Sequence, residues 1–108
     1  MVENAAGIKR IIMQYKDELT RSGITVTDIY LYGSYAHGRS HEGSDIDLIV
    51  VSPDFSKFGL RKRLELLGLA AGRIMEPIQA YGITPEEIKQ QKLSSFWSNL
   101  LEHEAVPI

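Results

Sequence analysis

The sequence predicts an α/β fold, a small mixed β-sheet flanked by α-helices. Three observations lead there. Apolar residues recur at helical spacing in one stretch (Ile8, Ile11, Ile12, Tyr15, Leu19), while runs such as Asp45–Val51 are short, apolar and β-branched. The 108 residues suit one compact domain, and no linker, repeat or second unit breaks them, so residues 1–108 are read as a single domain. With 44% hydrophobic and 24% charged residues, the composition is that of a globular chain rather than a disordered tail.

In chain order, residues 3–22 form a helix whose solvent side carries Lys9, Lys16, Asp17 and Glu18, with Gly23 at a left-handed C-terminal cap. Thr25–Tyr32 is a first strand, and residues 34–38 leave room for one or two helical turns. A polar loop, residues 39–44, leads into a buried central strand, Asp45–Val51, ended by Ser52, Pro53 and Asp54. Leu60, Leu64, Leu67 and Ala71 mark the apolar side of a second helix, with Arg61, Lys62, Arg63 and Glu65 turned outward. Arg73–Tyr81 is a third strand, which Pro77 makes an edge strand or a bulged one. Thr84, Pro85 and Glu87 start another helix with a capping box. Residues 94–104 carry Phe96, Trp97, Leu100 and Leu101 at helical spacing, read as core before partner surface.

Composition excludes several classes. The chain has no cysteine, so neither a disulfide scaffold nor a Cys-ligated zinc site is available. A net charge of −2 argues against an extended nucleic-acid surface. No apolar run is long enough to cross a membrane, and no basic-then-apolar leader opens the chain, so the expected location is cytoplasmic.

The chemistry concentrates in Leu31-Tyr32-Gly33-Ser34-Tyr35-Ala36-His37-Gly38 and, after a short loop, Ser44-Asp45-Ile46-Asp47-Leu48-Ile49-Val50. Gly33 lacks a Cβ, so backbone can approach a bulky anion, and Ser34 adds a hydroxyl where free N–H groups favour phosphate. Asp45 and Asp47 alternate with Ile46 along a strand, so both carboxylates leave one face and repel each other. A divalent cation relieves that repulsion, and Mg²⁺ prefers one or two carboxylates completed by substrate phosphates.

The combined pattern, Gly-Ser followed by Asp-X-Asp at this spacing, resembles the nucleotidyltransferase superfamily that includes DNA polymerase β. At this length the chain looks like its minimal nucleotidyltransferases, often paired with HEPN-domain partners. The resemblance implies a polymerase β-like fold and Mg²⁺-dependent transfer of a nucleoside monophosphate, AMP from ATP foremost, to a hydroxyl acceptor. Two Mg²⁺ ions are implied, with Mn²⁺ as a substitute. It also implies that Gly33 and Ser34 hold the triphosphate and that Asp45 and Asp47 bind metal. Glu76 matches the family's third carboxylate, a metal ligand that acts on the acceptor, although relatives more often carry Asp there. Asp28 and Glu42 are the fallback oxygen ligands. His37 stands where many relatives have Arg.

Plainer readings accompany these. His37 and His41 suit a loop, and His103 suits the end of the last helix. Arg61-Lys62-Arg63 reads first as a solvated face and second as an anion-attracting rim; Tyr30, Tyr32 and Tyr35 read first as core or sheet-face residues, with a place near a bound nucleotide as the second reading of Tyr35. Besides the enzyme, two further functions fit: an antitoxin-like subunit masking a HEPN-domain toxin, and a nucleotide-sensing module. Homo-oligomerisation is left open.

Overall fold

A computed structural model describes residues 5–39 and 43–108. The first helix, α1 (Ala5–Arg21), buries Ile8, Ile11, Ile12, Tyr15 and Leu19, the set the 3.6-residue period selects. It ends in a Schellman cap. Gly23, at φ +90°, donates to the Thr20 carbonyl (3.0 Å), and Ile24 N–H donates to Leu19 O (3.0 Å). The chain continues through β1 (Asp28–Tyr32), β2 (Ile46–Val51), a 3₁₀ turn (Pro53–Lys57), α2 (Leu60–Arg73), β3 (Ile78–Ile83), α3 (Pro85–Lys89), α4 (Ser95–His103) and β4 (Val106–Pro107).

The sheet has the order β3-β2-β1-β4. β1 runs antiparallel to β2 and β4, whereas β2 and β3 are parallel and joined through α2. The mixed sheet of the sequence reading is therefore present, with β3 at an edge, one of the two outcomes Pro77 allowed. Period-two alternation sends Ile46, Leu48 and Val50 to one face, under α1 and the Leu67, Ala70 and Ala71 face of α2. The other face carries Ile49, Val51 and Ile83 beneath Leu100, Trp97 and Leu101 of α4. Asp47 shares that second face, at the strand's opening end.

Several boundaries shift for physical reasons. The first strand starts at Asp28, not Thr25, and the third at Ile78, not Arg73, because α2 continues to Arg73 and turns through Met75 at φ +56°. The largest correction falls on α2. Leu60 and Leu64 are exposed, and Arg63, read as outward, is buried. Its guanidinium donates to the carbonyls of Phe55 (3.0 Å), Phe58 (3.0 Å) and Gly82 (3.1 Å) and to Glu87 (2.8 Å). Five fixed N–H donors let arginine close a cluster of backbone acceptors that no leucine could satisfy. Glu87 in turn completes the predicted capping box with Thr84. Phe96, read as core, is 65% exposed. Among the described residues no helix is long and apolar enough to cross a membrane.

Candidate active site

Asp45 stands one residue before β2 and is exposed, and Asp47 lies within the strand, half-buried. Both leave the strand on the same side. Burial first, and the charge of Asp45 second, hold the Asp47 carboxyl above the usual carboxylate range. The pair is electrostatically coupled, with no cationic side chain bridging it among the described residues.

The neighbours of Asp47 follow from strand register. Tyr32 on β1 is its antiparallel partner, and Gln79 on β3 is level with it on the parallel side. Adjacent strands lie roughly 4.8 Å apart, so both side chains flank the carboxylate on one face. The Tyr32 hydroxyl is pushed up to about 12 by burial and then by the Asp47 charge. Neither flanking residue was picked out from the sequence, because pairing partners are set by register. Alternation within a strand identifies a face but not a neighbour.

Gly33 has two reasons to be glycine. Its φ of +75° lies in the left-handed region, and a Cβ placed there would run into Oδ2 of Asp47, with Cγ only 3.2 Å away. The space that the missing side chain opens is thus filled first by the chain's own carboxylate. This contact seats the Gly33-Ser34 turn directly against the Asp pair.

The segment after it is a run of turns rather than the expected short helix. Ala36 N–H donates to Gly33 O (3.1 Å), and Ser34 O accepts from His37 (3.3 Å) and Arg39 (2.8 Å). Gly33 and Gly38, both at positive φ, bracket the segment and prevent a helix from propagating. His37 is exposed, Tyr35 is half-buried against the core, and His41 and Glu42 lie outside the described residues.

Glu76 is not brought to the pair. It lies in the link between α2 and β3, before the strand begins, and lines a cleft of about 380 Å³ with Arg10, Gln14, Tyr35 and Ile46. Ile46 belongs to the sheet face opposite Asp47, so this cleft opens on the α1 side. Among the described residues no three His, Asp or Glu side chains gather as a metal-ligand group. The level position on β3 holds the amide of Gln79 instead. The fallback residue Asp28 is no nearer, since it pairs with Val51 at the far end of β2.

A coupled carboxylate pair beside a glycine turn suits phosphoryl chemistry, and the comparisons agree. The profile of the nucleotidyltransferase domain family matches residues 12–104. The chain belongs to that family. The fold and family expected from the Gly-Ser and Asp-X-Asp pattern therefore hold. A Methanocaldococcus jannaschii protein assigned as a protein adenylyltransferase is 43% identical over 54 residues. That match covers 47% of this chain and 62% of the relative, so the chain spans less than two thirds of the relative's length. Two crystal structures share the fold. One, of a protein assigned as a nucleotidyltransferase in Sulfolobus solfataricus, superposes with a TM-score of 0.52 at 19% identity, over 83% of this chain and 84% of the other. The second, of a toxin–antitoxin with AMP-PNP, gives 0.62 at 22% identity, over 92% and 70%.

Proposed function

We propose that the chain transfers a nucleoside monophosphate, AMP from ATP, to a hydroxyl on a partner protein. The observation that carries this reading is the Asp45–Asp47 pair, coupled in charge, with the Asp47 carboxylate packed over Gly33. Its donor set fits Mg²⁺ or Mn²⁺: two hard oxygen carboxylates, with phosphate oxygens of the substrate completing the shell of one or two ions. When bound, the metal neutralises the carboxylates and polarises the reacting phosphoryl group.

The chain's own residues supply position. The Gly33-Ser34 turn offers backbone N–H groups and a hydroxyl to the β- and γ-phosphates. Tyr32 and Gln79 stand level with Asp47 on the two neighbouring strands. An acceptor hydroxyl releases its proton to solvent as its oxygen bonds to the α-phosphorus, the bond from that phosphorus to the α–β bridging oxygen breaks, and pyrophosphate leaves; the rate comes from alignment and charge neutralisation. Glu76, away from the pair, takes no role in this scheme.

The protein acceptor is supported by the adenylyltransferase assignment of the M. jannaschii relative. A helical, HEPN-like cytoplasmic partner presenting a Tyr or Ser hydroxyl is the proposed substrate. Co-expression with the adjacent gene product, then intact-mass analysis after adding ATP and Mg²⁺, tests it. One or more AMP units should be gained by the partner, and none with the Asp45→Asn/Asp47→Asn double variant. Efficient turnover of a free small-molecule acceptor by the isolated chain would overturn the partner assignment. A second reading, an antitoxin-like subunit that masks its partner, is favoured by the toxin–antitoxin neighbour. It requires inhibition of the partner to survive the double variant.

A further inference from the structure

The aromatic wall beside Asp47 ends in a ring that the fold leaves uncovered. Trp97 stacks on Tyr81, centroids 3.9 Å apart with 9° between planes, and meets Tyr32 edge-on at 5.9 Å. Tyr81 is level with Ile49 and Tyr32 with Asp47, so the indole lies diagonally across β2, just below the carboxylate. Trp97 and Tyr32 thereby close the floor of the site on this face.

Phe96 is the next ring out. It touches Trp97 edge-on (5.1 Å, 86°) yet is 65% exposed. Its direction follows from the helix. Ser95, Ser98 and Glu102 line a cleft with Ile88 and Gln91, which places that flank of α4 beside α3. α3 follows the C-terminal end of β3, the end of the sheet remote from Asp47. At roughly 100° per residue Phe96 points about 160° away from Ser98, so it leaves α4 on the flank opposite α3.

We infer that Phe96 is the platform on which the nucleotide's base stacks. The ribose separates the base from the α-phosphate, so with phosphates at Gly33-Ser34 and the Asp pair the base must land on the rim, not the floor. The rim holds an exposed phenyl ring, steadied by a core indole. Every base has a π-face, so such a platform distinguishes a nucleotide from a bare polyphosphate without choosing among bases. This inference rests on the nucleotidyl-transfer reading above, and its test separates the two.

Calorimetric titration of the full chain with Mg²⁺ plus ATP, and in parallel with Mg²⁺ plus inorganic tripolyphosphate, decides it. Phe96→Ala should weaken ATP about tenfold and leave tripolyphosphate unchanged, while Phe96→Tyr restores ATP binding. Equal affinity of wild type and Phe96→Ala for ATP would overturn the platform, as would equal losses for both ligands. Loss of partner co-purification by Phe96→Ala with ATP affinity intact would also overturn it and make the ring a protein contact. Wild type binding tripolyphosphate as tightly as ATP sinks the platform alone; wild type binding neither sinks the nucleotidyl-transfer reading with it.

Discussion

At the C-terminal end of β2 the chain gathers buried charge and satisfies all of it; at the N-terminal end it gathers charge and leaves it unneutralised. Arg63 and Glu87 meet at 2.8 Å, and further hydrogen bonds tie Arg63 to the carbonyls of Phe55, Phe58 and Gly82 and Glu87 to the Thr84 N–H. Burial pushes the Glu87 carboxyl up, but hydrogen bonds from Arg63 and Thr84 and the Arg63 charge outweigh it, so the group ends below its ordinary range. Asp47 is raised by burial and by Asp45, with no cationic partner to counter either among the described residues. One strand thus has an end built for stability and an end built to receive a counter-charge from outside.

The stable end should give the largest response to mutation. Arg63→Met leaves three carbonyls and a carboxylate without their donor, and should cost about 3 kcal/mol in urea unfolding. A loss no greater than that of an exposed arginine would break the contrast. Gly33→Ala comes next. The left-handed backbone alone costs about 1–2 kcal/mol, and the new methyl must displace the Asp47 carboxylate. A lowered melting temperature should therefore accompany lost Mg²⁺ affinity in calorimetry.

A smaller, opposite pair of effects sharpens the comparison by pH. Asp47 binds its proton more readily folded than unfolded, so its contribution becomes unfavourable as pH rises through the raised pKa. Asp47→Asn should stabilise the metal-free protein above that pH, and the gain should fade on acidification below the unfolded value of about 3.9. Glu87 is the mirror case. Its stabilisation is present above the unfolded value of about 4.3 and is lost as pH falls through the lowered pKa, so Glu87→Gln should be most harmful near neutrality. Melting curves of both variants between acid and neutral pH, without metal, check the two signs together. The smallest effect belongs to Glu76→Gln, which should change transfer by no more than about twofold, the scale of an ordinary surface substitution. A large loss in the intact-mass assay would return Glu76 to the site.

What the sequence disclosed tracks how local each cause is. The α1 core set, the Gly23 cap, the Thr84 capping box and the same-face relation of Asp45 and Asp47 each depend on residues a few positions apart, and each is found. Arg63 and Gln79 were misread or missed because their partners are distant in the chain, and Phe96 because helical spacing does not tell which flank of α4 meets the sheet. Arg63 is buried by carbonyls of the 3₁₀ turn and of β3, a pairing that composition disguises as a basic run. Glu76 matched the family's third carboxylate as the acidic residue of an expected strand, but α2 runs to Arg73 and the strand starts late, so Gln79 holds the level place. At Gly33 the structure adds a reason that the sequence did not offer: the clearance serves Asp47 itself.

Trp97 is the chain's single tryptophan, and it lies within energy-transfer range of Tyr32 and Tyr81. Its emission therefore comes from one place, one register step from Asp47, with no label introduced. Tyrosine excitation funnels into that same indole. Any event that tilts the ring stack or changes the field of the carboxylates alters the intensity or wavelength of one fluorophore. The protein is its own optical probe, readable at low concentration and on the timescale of a stopped-flow mixing experiment.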